Sequence, residues 1–399
     1  MLSLKTADRI GLRYPAGTAQ PHSCSGSRVK TLVVAAGLLL ASCAATPAPT
    51  PSPPAAAEAT VVAVAMSVPR AAHTATKLAD GRVLVAGGFG LGDRIESSME
   101  LFAPTTATFT AAGAMDAPRH SHSATLLTDG RVLIAGGYTS GAERLATAVL
   151  YDPARGAITP TGPLLAPRAD HTAVLLSDGR VLVAGGTGPG TTFLASAEVY
   201  DPALGTFSAV GSMRDAREAN TLTSLADGRV LVAGGHRGRS PNTVVLAGAE
   251  LFDPRIALFA PTGPMGVRRA KHDAVRLEDG SVLIFGGADE RDDRGAYASA
   301  ERFDPRSGTF SPAAALAQAR YKIRGMSALL PGGRVLVAGG APRAELYSLT
   351  AGSRTIGASF GRAPMIGTAT LLDDGRVVLA GGYSLTGPAS RDAFVLTVP

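Results

Sequence analysis

The chain is a succession of short apolar runs broken at regular intervals by polar turns. Residues 168–213 hold one unit of the pattern. A short, largely apolar segment occupies 171–176, the turn Asp178-Gly179 follows, and a largely apolar return run at 180–184 ends in Gly185-Gly186. After a loop come a segment at 197–200, the turn Asp201-Pro202-Ala203-Leu204-Gly205 and a last segment at 206–210. Asp-Gly accepts positive φ in a two-residue hairpin, and in the second turn Pro sets φ at the first position while Gly takes the left-handed one. The unit predicts a four-stranded antiparallel meander. Its second strand is apolar on both faces in nearly every copy, as in Val83-Leu84-Val85-Ala86 and Val132-Leu133-Ile134-Ala135. A sheet with one face in water would alternate, so each of these sheets must be covered on both sides.

The diglycine recurs at Gly87-Gly88, Gly136-Gly137, Gly185-Gly186, Gly234-Gly235, Gly286-Gly287, Gly339-Gly340 and Gly381-Gly382, first at intervals of 49 residues and then of 52, 53 and 42. A period near fifty marks a repeat architecture. Neighbouring sheets are the available cover, and four-stranded sheets stacked face to face around an axis form an all-β, seven-bladed β-propeller. The seventh unit, from Ala369 to Pro399, has room for three strands, the third from Asp392 to Val398. Residues 60–66 align with the fourth strands at 108–115 and 206–213. The N-terminal strand is therefore expected to complete the last blade, which removes two unpaired edges.

The diglycine after the second strand, the Glu-x-Tyr/Phe-Asp-Pro segments (Glu198 to Pro202, Glu250 to Pro254, Glu301 to Pro305) and the Arg-x-x-His opening resemble the kelch family of β-propellers across residues 60–399. The tryptophan that kelch units often carry on the fourth strand is replaced here by Phe109, Phe207, Phe259, Phe310 or Ile158. The resemblance implies partner recognition on the face built by the loops between strands two and three and the links between blades. Copper radical oxidases on this scaffold need a Cys–Tyr crosslink, and sialidases carry Trp-containing boxes. The expected mature chain has no cysteine beyond Cys43, and the sequence has no Trp.

Composition adds an address. Hydrophobic residues at 45% and charged residues at 18% exclude a disordered chain, and two cysteines in 399 residues exclude a disulfide scaffold. Arg28 and Lys30 precede an apolar run from Thr31 to Leu40 that is too short to span a bilayer, and Leu40-Ala41-Ser42-Cys43 resembles a bacterial lipobox. Residues 1–42 are expected to be a signal peptide, with Val29 a more compact start, and Cys43 the lipid attachment site. Residues 43–59 read as a Pro/Ala-rich spacer, and 60–399 as the propeller. Cleavage removes five cations and one carboxylate, so the net charge falls from +6 to +2. No basic run remains to suggest a nucleic-acid partner. Ala44 after the cysteine resembles the outer-membrane sorting preference. The expectation is a monomer touching the membrane only through its lipid.

At the candidate face, residues that repeat are expected to be scaffold and those that deviate to carry function. Arg70, Arg119, Arg168, Arg217 and Arg269 recur ten residues before the turn, with Lys322 and Pro364 at that place in the last two units. Three residues later stand His73, His122, His171, Asn220, His272, Gly325 and Gly367. These are read as scaffold rather than as a metal ring. The deviating residues His120, Tyr138, Asp170, Glu218, His236, Lys271, Arg324 and Tyr383 are the candidate ligand face. The acidic loop at 289–294 lacks a calcium-binding pattern. No cofactor motif appears, and the expected ligand is a protein, peptide or glycan. The alternatives are a sugar mutarotase or epimerase using Glu218, Asp170 and His120, and a structural envelope component that binds other lipoproteins.

Overall fold

The computed structural model describes residues 59–398, so the expected signal peptide, Cys43 and all but the last residue of the expected spacer lie outside the described residues. Seven four-stranded antiparallel sheets follow one another, each running outward from an inner strand. Blade three is typical, with Thr172–Leu175 innermost, then Val181–Ala184, Ala197–Asp201 and Thr206–Ala209. Inner strands touch their neighbours around the whole ring. Thr60–Arg70 is the outer strand of blade seven, pairing antiparallel with Ser390–Thr397 from Thr60↔Thr397 to Ala65↔Asp392. The ring is thus closed between the two ends of the propeller.

The doubly apolar second strands are explained by the period-two alternation of side chains. In Val83–Ala86, the two valines pack toward blade seven, against Leu372, Val378, Val395, Met66, Ala380 and Ala393. Leu84 and Ala86 pack the other way, against Val132, Ile134, Val149 and Tyr151 of blade two. Comparable apolar clusters fill the remaining blade boundaries. The fourth-strand phenylalanines stand in register with third-strand aromatics, as in Phe102 with Phe109 and Tyr200 with Phe207, at centroid distances of 5.0 and 4.9 Å.

The diglycine makes the closest backbone approach between blades. A Cβ on Gly185, whose φ is 69°, would sit 2.6 Å from the Arg217 carbonyl oxygen of the next blade, and Gly186 N–H donates to that oxygen at 2.8 Å. Blade seven repeats this onto blade one, where Gly382 N–H donates to the Arg70 carbonyl at 2.8 Å. The unequal spacings have a local cause. Blade four inserts a small hairpin, His236–Arg237 with Val244–Val245, between its second and third strands, whereas blade six joins Val335–Val337 directly to Arg343–Ser348.

Candidate functional site

The two faces of the ring are chemically different. On one, the Asp-Gly-Arg turns repeat. Arg82, Arg131, Arg180, Arg229 and Arg376 each pair with the Asp two residues earlier at 2.6–2.7 Å. Four of them also reach a proline carbonyl of the next blade, Arg376 donating to Pro104 at 2.8 Å across the closure. The other face is formed by the links between blades and the loops after the diglycines.

Beneath that second face lies a layer of enclosed arginines. Arg168 donates to the Gly185 and Ser196 carbonyls at 2.9 and 3.0 Å and to Glu198 at 2.6 Å, while Glu198 also accepts from Leu165 and Ala166 N–H. Arg70–Glu100, Arg217–Glu250 and Arg269–Glu301 repeat the pair. In blade two, Val149 stands at the Glu register, and Asp116 pairs with Arg119 at 2.8 Å instead. Blade seven carries Pro364 and Phe394 and has neither charge.

In blade six, the repeat position belongs to Arg320 and not to Lys322. Arg320 is fully enclosed, donates to the Gly339 carbonyl and pairs with Glu345 at 2.8 Å. Blade six carries two extra residues between this arginine and the inner strand Ser327–Leu329, so counting back from the turn lands two places late. Ile323, not Gly325, consequently occupies the histidine place. The buried Leu316, four residues before Arg320 as Leu164 is before Arg168, is the sequence signal that marks the correct frame.

The histidines join blades. His73 Nε2 meets Thr368 Oγ1 at 3.1 Å, His122 meets Thr74 at 3.0 Å, His171 meets Ser123 at 2.9 Å and His272 meets Thr221 at 3.2 Å. Asn220 makes the same link by donating to Thr172 Oγ1 at 3.1 Å. At the boundary of blades five and six, Ser327 donates to Asp273 at 2.5 Å.

Burial, and then the adjacent arginine, lowers His73, His171 and His272 to about 3, while burial raises Asp273 to about 6. An unfolded histidine takes up a proton near pH 6.5 that the folded one refuses, so stability is full above that pH and is lost as pH falls toward 3. Asp273 works in the opposite sense, stabilising below about pH 3.8 and losing that contribution as pH rises through 6. With several histidines against one aspartate, denaturation midpoints should fall between pH 7 and pH 5. His171→Asn, which copies Asn220, should flatten that loss. An unaltered slope in the variant would refute the assignment.

Above the histidines, Ala72, Ser121, Asp170, Ala219, Lys271, Lys322 and Ile366 form a ring at one position per blade, all with φ between 52° and 58°. Main-chain N–H groups in this ring donate from blade to blade, as in Ser121 to Ala72 at 2.9 Å and Asp170 to Ser121 at 3.0 Å. Two other candidates, His120 and Glu218, precede the ring position, and each forms a β-bridge with the residue after its own diglycine, Tyr138 and His236 respectively. Tyr383 bridges to Met365 in the same way.

Side chains then connect around the mouth. The Phe89 ring meets Tyr383 at 6.0 Å and His120 at 5.6 Å, His120 stacks on Tyr138 at 5.1 Å, and Tyr138 Oη lies 2.7 Å from Thr187 Oγ1. Opposite, His236 Nε2 is 3.2 Å from Glu218, whose carboxylate is also gripped by Arg239 from the inserted hairpin. Burial raises Glu218 and the Asp170 charge adds to that rise, while Arg239 opposes it. Lys271 pairs with Asp292 at 2.6 Å, and Lys322, 4.0 Å from Asp292, donates to Tyr383 Oη at 2.9 Å. Lys322 is therefore a mouth residue that the shifted frame concealed. Of the eight candidates, seven lie around this mouth, and Arg324 belongs to the two-residue insertion of blade six. Among the described residues, no three His, Cys, Asp or Glu side chains converge as metal ligands would, and no helix is long and apolar enough to cross a membrane.

A closed ring of seven four-stranded antiparallel blades, locked by its own N-terminal strand, is a β-propeller. Residues 167–214, which span blade three, match the family model of the Kelch motif. The protein is a seven-bladed β-propeller with a Kelch motif in its third blade. No curated protein matches the chain.

Proposed function

We propose that the protein is a lipoprotein anchored at the bacterial envelope, in the outer membrane, whose propeller binds a protein, peptide or glycan at the mouth between Tyr138, Glu218, Lys271 and Tyr383. Kelch propellers are commonly protein-interaction modules, which supports a binding role. The observation that carries the reading is the asymmetry of the faces. One repeats a self-paired turn in five of its seven blades, whereas the other gathers the blade-specific charged and aromatic residues around the mouth. Selective recognition needs such non-repeating groups in a concave setting. The lipobox at residues 40–43 and the proline-rich spacer support the anchoring.

The test is a glycan and peptide array probed with the full chain carrying Cys43→Ala. Lys271→Met should weaken any ligand found by roughly tenfold and leave the melting temperature within a degree or two of the parent. A ligand lost on Arg131→Ala, at the opposite face, and unaffected by Lys271→Met would overturn the reading. The Glu218–His236 couple is a positioned acid–base pair and favours the second reading, a sugar isomerase. Accelerated mutarotation of a free sugar in the same samples would select it.

A further inference from the structure

Blades one to six each hold a guanidinium against the carbonyl of the first glycine of the diglycine. In blade three, Arg168 donates to the carbonyl 17 residues on, Gly185, and to the one 28 residues on, Ser196, and it meets the Ser196 hydroxyl at 3.1 Å. Arg70 uses Gly87 and Ser98 at the same two spacings, and Arg119 uses Gly136 and Thr147. From Pro364 these spacings lead to Gly381 and Asp392 in blade seven. The Asp392 carbonyl accepts from Gly381 N–H at 2.9 Å, as the Ser196 carbonyl does from Gly185 N–H at 3.2 Å, so the frame of the cradle is kept. Proline has no donor to place in it, and Phe394 stands in the register of Glu198.

A pocket lies at this place. Met326 and Phe360 wall it from one side, and Pro364, Gly381, Asp392 and Phe394 line the other. The Phe360 and Phe394 rings are 5.3 Å apart. Asp392 puts a carboxylate where Ser98, Thr147, Ser196 and Ser299 offer the arginine a hydroxyl, and its side chain is exposed at the rim. Arg362 also stands at this rim. Its Nη2 is 3.6 Å from Asp392 Oδ2 and 3.5 Å from the Gly382 carbonyl, and its Nη1 is 3.4 Å from the Pro388 carbonyl. These contacts are long, and they are not to the two carbonyls that the repeat arginines bind.

We propose that the blade-seven pocket binds a guanidinium from outside the chain, that of a peptide arginine or of free arginine. The incoming group donates to the Gly381 and Asp392 carbonyls, pairs with the Asp392 carboxylate and lies against the two phenylalanine rings, while Arg362 turns outward to solvent. A planar fork of donors suits paired carbonyls and a carboxylate, and aromatic faces attract a cation. The pocket is separate from the mouth, and either reading can fail alone.

The full chain carrying Cys43→Ala, with isotope-labelled methionine methyl groups, is titrated with N-acetyl-arginine amide and, separately, with free arginine at constant ionic strength. The Met326 methyl signal, assigned with Met326→Leu, should shift saturably with at least one of them, the two arms separating a peptide source from the free amino acid. Pro364→Arg supplies the cradle from within, so it should abolish the shift and keep the melting temperature at or above the parental value. Asp392→Ser, which copies Ser196 at the exposed rim, should weaken binding by roughly tenfold. Arg362→Gln removes a competing cation and should tighten it. Should Pro364→Arg fail to fold, Asp392→Ser carries the comparison. A Met326 signal that neither probe moves, or equal affinity in the parent and the folded variants, would overturn the proposal.

Discussion

Deleting residues 60–66 lowers the melting temperature by roughly 10 °C or more. The deletion removes every ladder pair from Thr60↔Thr397 to Ala65↔Asp392. It also uncovers the apolar cluster in which Met66, with 2% of its surface exposed, packs against Val85 and Ala393. Ser390–Thr397 would become a long unpaired edge, so the truncated protein should aggregate near its transition. Scanning calorimetry of the two chains decides the matter. A transition at the parental temperature would mean that the ring is held by its blade boundaries and not by the strand that joins its ends.

The second large effect concerns the enclosed arginines. Arg168→Ala should cost about 3–5 kcal/mol, because it leaves Glu198 as a buried charge facing two N–H groups and no cation. It also strips donors from the Gly185 and Ser196 carbonyls. The protein itself suggests the rescue. Blade seven does without the pair, with Pro364 and Phe394 in those places, and blade two carries Val149 in the Glu register. Glu198→Val in the Arg168→Ala background should therefore recover part of the loss, giving a coupling energy of about 1–3 kcal/mol in a double-mutant cycle read by denaturant unfolding. Strict additivity would show that arginine and glutamate act independently.

The contrast between Arg168 and Arg324 shows how far sequence alone reaches. Both are arginines near the start of an inner strand. The first was legible as scaffold, because it recurs at a constant distance from a turn and a partner glutamate recurs with it. Arg324 was picked out only as a deviation. That its Nη1 is buried without an acceptor is decided by the tertiary packing around it. Lys322 shows the converse. A two-residue insertion shifts the apparent frame, so counting from the turn puts a mouth lysine at the place that belongs to Arg320.

The sequence by itself determined the number of blades, the strands within each and the closure by the N-terminal strand. Each of these follows from short-range pattern, namely hairpins whose register is set by neighbouring turn residues and apolar runs that demand cover on both faces. Only the tertiary structure decided which deviating residues meet around the mouth and which arginine serves blade six. Those outcomes depend on contacts around the channel between residues some fifty or more positions apart in the chain, where an insertion of two residues redirects a side chain without disturbing the repeat that carries it.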